Sequence, residues 1–424
     1  MKKVFTLGLF SLWCCLSVFG QTSREEMYEN LNKTGGVYYA YPVSETQNTK
    51  APKGYKPFYI SHYGRHGSRF LISQRDYYSV YNVLEKADKA GTLTALGKNL
   101  MGRIVLLCQE AEGTEGNLTP LGRRQHRGIA ERMFKAYPEV FEDRDSVSAR
   151  STIVHRCAMS MVAFGDMLKE LNPNLTIFYE MSEKHMDYLN YHTDESNVFT
   201  NGENGPWVEE YRKFFEENTN PDRLVSSLFN DENYIRKNVH PSNLMWGLYW
   251  IASDVQDMET KAYIYDVFEK EELFDLWQIN NYRMYVGNAN HPGGKGLVVG
   301  NAKNLMKNII ESADEAIENP RIAATLRFGH DGNITPLCAF LEIGDFNVQV
   351  EKPEELYKYW CDFKVSPMAS NVQIVFFNKK NGNKDDILVK VLHNESEVCI
   401  PVKTDRFPFY KWTDFREFYY NKLK

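Results

Sequence analysis

The chain has 424 residues, 43% hydrophobic, 14% aromatic and 25% charged, with 50 Lys plus Arg against 56 Asp plus Glu and a formal net charge of −6. That balance excludes a collagen-like or low-complexity chain and leaves no basic surface for nucleic acid or an anionic membrane. Any positive site must be local and built from few residues, on a chain long enough for about two to three domains or one α/β domain with an insertion.

At the N-terminus, Lys2 and Lys3 precede the apolar stretch Val4 to Val18, and Gly20 offers a small residue before Gln21. This is the form of a secretory signal peptide over residues 1–20 and predicts a periplasmic or secreted product. Trp13 stands before Cys14, where a lipoprotein signal carries a small residue. No later run of about 18 apolar residues predicts a membrane span. Beyond the signal lie Cys108, Cys157, Cys338, Cys361 and Cys399. Their odd number and their spacing, with no C-x-x-C pair, predict buried thiols rather than a disulfide framework or a zinc site.

The apolar run Pro57 to Tyr63 predicts a buried strand that stops at Gly64. Helical spacing follows over Asp76 to Lys89 and Ala95 to Glu110, and a third helix starts at Thr119-Pro120, with Thr119 as cap, and runs to about Tyr137. Next come a strand over Asp145 to Thr152, a helix over Cys157 to Leu171 and a strand over Leu175 to Met181. Strands alternating with helices predict a mostly parallel sheet flanked by helices. Between His192 and Asn290 the chain is rich in charges and aromatics, with helical stretches over Glu209 to Asn218 and Leu244 to Leu276, which predicts a helical cap inserted at 192–290 into a core formed by 21–191 and 291–424. A helix over Gly300 to Glu318, a buried strand over Ile322 to Phe328, and a hairpin over Asn371 to Asn378 and Ile387 to His393 complete the pattern.

Two of these strands end in glycine- and histidine-bearing turns: Gly64-Arg65-His66-Gly67-Ser68-Arg69, and Gly329-His330-Asp331-Gly332. In open α/β sheets ligands sit at the carboxyl ends of strands. Two guanidiniums around an imidazole suit a phosphate dianion, because arginine forks match its oxygens and glycine lets a bulky anion approach. A neutral imidazole can attack a phosphoryl group in line, while a carboxylic acid protonates the departing alkoxide. His66 and Asp331 fit those two roles, and the mechanism favours mildly acidic pH.

With these residues in view, the chain resembles the histidine acid phosphatases, a clade of the histidine phosphatase superfamily with an Arg-His-Gly-x-Arg motif and a later His-Asp. Leu118-Thr119-Pro120-Leu121-Gly122 with Gln125-His126 is similar to the family's Leu-Thr-x-x-Gly segment, and Arg150-Ser151-Thr152 followed by Arg156 to its Arg-Ser-Thr-x-x-x-Arg stretch. The resemblance implies a phosphoglycerate-mutase-like α/β fold with a helical domain, His66 as nucleophile and Asp331 as proton donor. It also implies Arg65, Arg69, Arg156 and His330 as the phosphate pocket, with Arg150 in support, and neither cofactor nor metal. Phe70-Leu71 replaces the usual proline region and Ile153 the usual aspartate. Arg327-Phe328-Gly329-His330 with Thr335-Pro336-Leu337 looks more like the multiple inositol polyphosphate phosphatase branch, which makes phytate or another inositol phosphate a candidate substrate.

The resulting expectation is an exported acid phosphatase acting on small phosphate esters. Its rivals are a phosphotransferase or mutase of the same superfamily and a catalytically silent phosphate-binding protein. Secondary candidates are assigned structural roles: His291 to Gly296, with Lys295, as a turn; His185 and His192 as packing or surface residues; His62 as a buried partner of polar groups; Glu269 to Glu272 as a solvated helix face.

Overall fold

The computed structural model describes residues 23–424 apart from 44–46, 204 and 381. The signal-peptide reading of residues 1–20 lies outside the described residues. The predicted alternation produces a mixed α/β fold whose sheet is parallel in its first half. Strand β1 (Tyr55–Arg65) is buried along nearly its whole length and pairs in parallel with β4 (Ile322–Gly329). On the far side of β4 lie β2 (Ser146–Ser151) and then β3 (Thr176–Met181), also parallel. On the other side of β1, the hairpin strands β5 (Asn371–Lys379) and β6 (Leu388–His393) run antiparallel, giving the order β3-β2-β4-β1-β5-β6. Short strands β7 (Ser396–Glu397) and β8 (Tyr410–Lys411) close against β6.

Helices carry the flanking layers. Among them are α1 (Gln74–Lys89), α2 (Ala95–Ala111), α3 (Pro120–Ala136), α4 (His155–Leu171), α5 (Pro241–Val255), α6 (Lys270–Asn288), α7 (Lys303–Glu318), α8 (Asp331–Leu341) and α9 (Trp412–Leu423). Thr119 caps α3 as expected, its Oγ1 accepting from Gly122 N at 3.2 Å with Pro120 in the first turn. One sheet face packs Ile60, Ala149 and Leu326 against Ile129, Met133 and Phe164 of α3 and α4. The other packs Tyr59, Tyr63 and Phe376 against Ile309 and Ile310 of α7 and Trp412, Phe415 and Tyr419 of α9. Cys108, Cys157, Cys338 and Cys361 are buried thiols outside any disulfide, and no helix of the described residues is long and apolar enough to cross a membrane.

A separate apolar cluster forms the helical layer, and it draws on more chain than 192–290. The stripes Tyr77, Val80 and Leu84 of α1 and Leu100, Ile104 and Leu107 of α2 pack with Leu224, Leu228, Leu244, Leu248 and Ile251. Phe199, Trp207, Tyr282 and Tyr285, from within 192–290, instead join the cluster beneath the sheet. The helix expected over Leu244 to Leu276 is broken after Val255 and resumes at Lys270. The break has two local causes. Asp257 turns back so that its N–H donates to Asp254 O at 2.8 Å, and Glu269 with Glu272 forms a capping box that starts α6. The acidic run is therefore a helix start rather than only a solvated face.

The joint between α2 and the 222–228 helix depends on close backbone contact. A Cβ on Gly97 would stand 2.3 Å from Leu228 O, and Thr94 also donates to Leu228 O (3.0 Å) and Ser227 O (2.7 Å). Gly97→Ala should therefore lower stability by about 1–3 kcal/mol although alanine is the better helix former. Thermal unfolding checks this; an unchanged or raised Tm contradicts the contact.

Candidate active site

β1, β4 and β2 are neighbours and parallel, so their carboxyl ends lie side by side, with Arg65 opposite Gly329 and Ser151 opposite Phe328 in register. Everything that the sequence places after those strands converges here. His66 leaves β1 with its N–H on Gly329 O (2.9 Å), and its ring lies 5.6 Å from that of His330, centroid to centroid. Arg65, 1% exposed, donates through Nη1 to Val37 O and to Ser366 O (2.8 Å), while Nη2 reaches Asp331 Oδ2 at 3.5 Å. Arg69 donates from Nη2 to Tyr38 Oη (2.9 Å) and stacks its guanidinium over that ring. Arg156 enters from the first turn of α4, which begins without a side-chain cap, and its Nη1 lies 3.5 Å from Gly116 O. Asp331 opens α8 and keeps 27% of its side chain exposed, so a leaving group can reach it.

Charge in this cluster is strongly biased. Burial, then Arg65 and Arg156, push the His66 imidazole well below its ordinary value, and burial with Arg156 lowers His330 to about 4. Both rings are neutral at mildly acidic pH. Burial works against ionisation of Asp331, but Arg65, His330 and Arg69 outweigh it and hold the carboxyl below its usual range. His66 Nδ1 lies 2.9 Å from Gly67 O, which can only accept, so the proton sits on Nδ1 and Nε2 presents its lone pair. Nε of Arg65, Arg69 and Arg156 is buried in each case without a partner among the described residues. The site thus combines an unprotonated imidazole with guanidiniums that repel one another, a combination that an oxyanion relieves.

All six residues singled out from sequence, His66, Asp331, Arg65, Arg69, Arg156 and His330, gather in this one place. Other expectations change. Arg150 turns to Tyr188 Oη (3.2 Å) and Glu180 Oε2 (3.4 Å). His62 has no polar partner; its ring packs on Phe164 and Phe328 at 5.1 and 5.3 Å, and burial lowers it to about 3. His185 pairs with Glu180 Oε2 at 2.6 Å, while His192 lies beside the Asp331 turn, where a Cβ on Gly332 would meet its ring at 3.5 Å. His291 caps a 3-10 turn by accepting from Gly293 N (3.1 Å), and Lys295 follows in the left-handed region at φ 48°. Among the described residues no group of three or more His, Cys, Asp or Glu side chains is arranged to hold a metal ion.

Sequence reasoning missed the residues that hold the loop 66–71. Gly67 N donates to Ser160 Oγ (3.1 Å), Ser68 N to Gln125 Oε1 (2.8 Å), and Thr119 N to Ser68 O (2.9 Å). Cys157 lies under His330, its Sγ 3.6 Å from Nε2, and Thr152 Oγ1 lies 3.2 Å from the same nitrogen. Ser160 was findable, one helical turn beyond Arg156. Tyr38, and Asp257, whose Oδ1 accepts from Ser68 Oγ at 2.6 Å, carry no signal in sequence, because tertiary contact alone brings them in.

The solved structures that this fold resembles are phosphatases. A multiple inositol polyphosphate phosphatase of Bifidobacterium longum, in complex with phosphate, superposes with a TM-score of 0.76 at 19% identity over 92% of this chain and 98% of that one. The phytase of D. castellii gives 0.66 at 13% identity, covering 98% and 90%. A Hafnia alvei phytase bound to myo-inositol hexakis sulphate gives 0.52 at 14% identity, covering 88% and 98%. At these identities the likeness is one of fold. No curated protein sequence matches. Residues 65–394, from the first arginine of the site through the end of β6, match the family model of the histidine phosphatase superfamily, branch 2. The chain belongs to that branch and is a phosphatase in the general sense of an enzyme that hydrolyses phosphate esters.

Proposed function

We propose that this phosphatase is an exported acid phosphatase that cleaves phosphate monoesters, inositol phosphates among them, through a phosphohistidine on His66. The observation that carries the reading is the neutral His66 ring, with its proton on Nδ1, among three guanidiniums, one of which, Arg65, also reaches Asp331. Nε2 attacks phosphorus in line, forming the P–N bond as the ester P–O bond breaks, and Asp331 gives its proton to the departing alkoxide. The Asp331 carboxylate then takes a proton from water as that water attacks phosphorus. The P–N bond breaks, and inorganic phosphate leaves. Arg65, Arg69, Arg156 and His330 hold the transferring oxygens throughout.

The proton donor must be protonated in the complex, although the guanidiniums ionise it in the free pocket. A bound phosphoryl dianion offsets those positive charges and adds negative charge facing the carboxyl, which raises its proton affinity. The sign follows: kcat is retained at mildly acidic pH and falls as pH rises through the complex's Asp331 titration. His66, lowered by burial, stays a nucleophile at pH values where an ordinary histidine is protonated.

Support for inositol phosphates comes from the rim. A cavity of 670 Å³ shares Arg156 with Arg123, His155, Phe70 and Met159, although Glu110 and Glu259 also line it. It offers room and cations for a ring bearing several phosphates. The fold neighbours include proteins that act on such compounds by name.

His66→Ala should abolish turnover with the fold intact by circular dichroism; wild-type turnover removes the nucleophile. Asp331→Asn should lower kcat on alkyl phosphates by about 100-fold or more, spare p-nitrophenyl phosphate, and erase the alkaline fall in kcat. Equal losses on both substrates contradict the acid role. In a phosphate-release screen across phytate, sugar phosphates and nucleotides, phytate should give the highest kcat/KM, and chelator should leave it unchanged.

A further inference from the structure

Behind the loop that carries His66 and Arg69 lies a pair of carboxyls that the reaction above does not use. Asp254, in the last turn of α5, and Asp257, in the turn that follows, are both 0% exposed. Asp257 Oδ1 accepts from Ser68 Oγ at 2.6 Å, and Ser68 Oγ in turn accepts from Gln125 Nε2 at 2.8 Å. Asp254 Oδ2 accepts from Tyr77 Oη at 2.5 Å, and the same hydroxyl accepts from Leu71 N at 2.9 Å. The two acids therefore grip the loop at Ser68 and at Leu71, on either side of Arg69. Their remaining oxygens, Asp254 Oδ1 and Asp257 Oδ2, are buried with no partner, and among the described residues neither acid makes a salt bridge.

Two buried carboxyls three residues apart, held by hydroxyls and by the backbone near Leu71 and paired with no cation among the described residues, resist ionisation. The charged and titratable groups around them are Arg69 and Arg65 on the loop, Tyr77 of α1, Glu110 of α2, Tyr38 and Tyr265. Glu110 is engaged by the N–H groups of Glu259 and Thr260 at 2.8 and 2.7 Å. Arg69, between the two gripped positions, bears electrostatically on both acids and also on His66 and Asp331 in the pocket.

We propose that Asp254 and Asp257 are a positioning pair that fixes the phosphate-binding loop from behind and, when charged, competes with a phosphate dianion for Arg69. The proposal rests on the phosphatase reading for the identity of the anion. Burial raises Asp254 to about 7, and burial with repulsion from Asp254 raises Asp257 well above its ordinary value. Below neutral the pair is uncharged and the guanidinium is free to serve the substrate. Above it, one charge on Asp254 competes for Arg69 from behind. This acts on binding, whereas Asp331 acts on kcat.

Sulfate, a dianion across the whole range, is the probe, and Asp331→Asn is the parent because it removes the carboxyl that contacts the anion pocket directly. In that parent His66 and His330 stay neutral and Cys157, pushed up to about 12, stays a thiol. Calorimetry should show the sulfate Kd weakening about tenfold between about pH 5.5 and about pH 8.5. Adding Asp254→Asn should reduce that change to less than about twofold. Adding Tyr77→Phe instead removes a hydroxyl that favours the Asp254 carboxylate, so it should move the midpoint to higher pH, and this variant decides the matter if Asp254→Asn does not fold. A flat parent profile, or a slope unaltered by Asp254→Asn, overturns the proposal. Absence of sulfate binding by the parent overturns the anion pocket together with it. An intact sulfate slope in a chain whose unmodified form hydrolyses no phosphate ester sinks the catalytic reading and leaves the pair standing.

Discussion

The parallel pairing of β1 with β4 is the constraint on which the site depends. Neighbouring strands in a sheet lie about 4.8 Å apart, so two histidines that each follow the last residue of a paired strand must come within ring contact. The register sets Arg65 against Gly329 and leaves His66 and His330 at 5.6 Å, although 264 positions separate them in the chain. An antiparallel pairing would send the two turns to opposite edges. β2 on the other flank of β4 adds Arg156 by the same logic, through the helix that starts where the strand stops. Three crossovers thus spend most of the chain on bringing three strand ends together.

Burial of like charge is the second constraint, and two kinds of buried arginine show how the fold treats it. Arg327, on β4, is 0% exposed and donates to Asn308 Oδ1 (2.8 Å), Ser61 Oγ (3.0 Å) and Ser312 Oγ (3.0 Å), so neutral dipoles solvate its charge. Arg65, Arg69 and Arg156 each retain an Nε without a partner among the described residues. A buried cation left partly unsatisfied is costly, by about 1–3 kcal/mol for each missing bond, so such a group persists where a ligand completes it. The low polarizability of the surroundings that makes the bare cluster unfavourable also makes its attraction to an oxyanion strong. A chain of net negative charge can in this way bind a dianion without any basic surface.

The loop after β1 was legible because its groups are contiguous. Arg65, His66 and Arg69 lie within five positions directly after an apolar run, and strand, glycine and turn together specify where they stand on the sheet. The second turn was legible for the same reason. What sequence could not carry is support that arrives from far away in the chain. Tyr38 stacks on Arg69 across 31 positions, and Asp257 reaches Ser68 across 189. Between Leu244 and Leu276 the segment Ser253 to Lys261 is polar apart from Val255 and Met258, but a polar run also suits the exposed face of one continuous helix, so periodicity alone did not reveal the break that delivers Asp257. His62 shows the converse error: a polar residue on a buried strand suggested polar partners, yet two phenylalanine rings cover a neutral imidazole.

The sheet and the helical layer divide the work between them. The loop lies so close to the start of α3 that a Cβ on Gly67 would stand 2.6 Å from Gly122 O, and one on Gly122 would run into the backbone of Ser68. The loop is therefore clamped between the first turn of α3 and the end of α5, and its shape is set before any ligand arrives. Of the residues that differ from the family's usual pattern, Ile153 lies outside that clamp and Phe70-Leu71 at its far end. Ile153 is 40% exposed, and Phe70, though buried, lines the cavity beside Arg156. Leu71, two residues after Arg69 where the family commonly has proline, donates its N–H to Tyr77 Oη at 2.9 Å, so a hydrogen bond holds the chain there in place of a ring's stiffness. Changes at such positions reshape the surroundings of the cluster while His66, Arg65, Arg69 and Arg156 keep their supports, which is how one fold comes to carry sites of different selectivity.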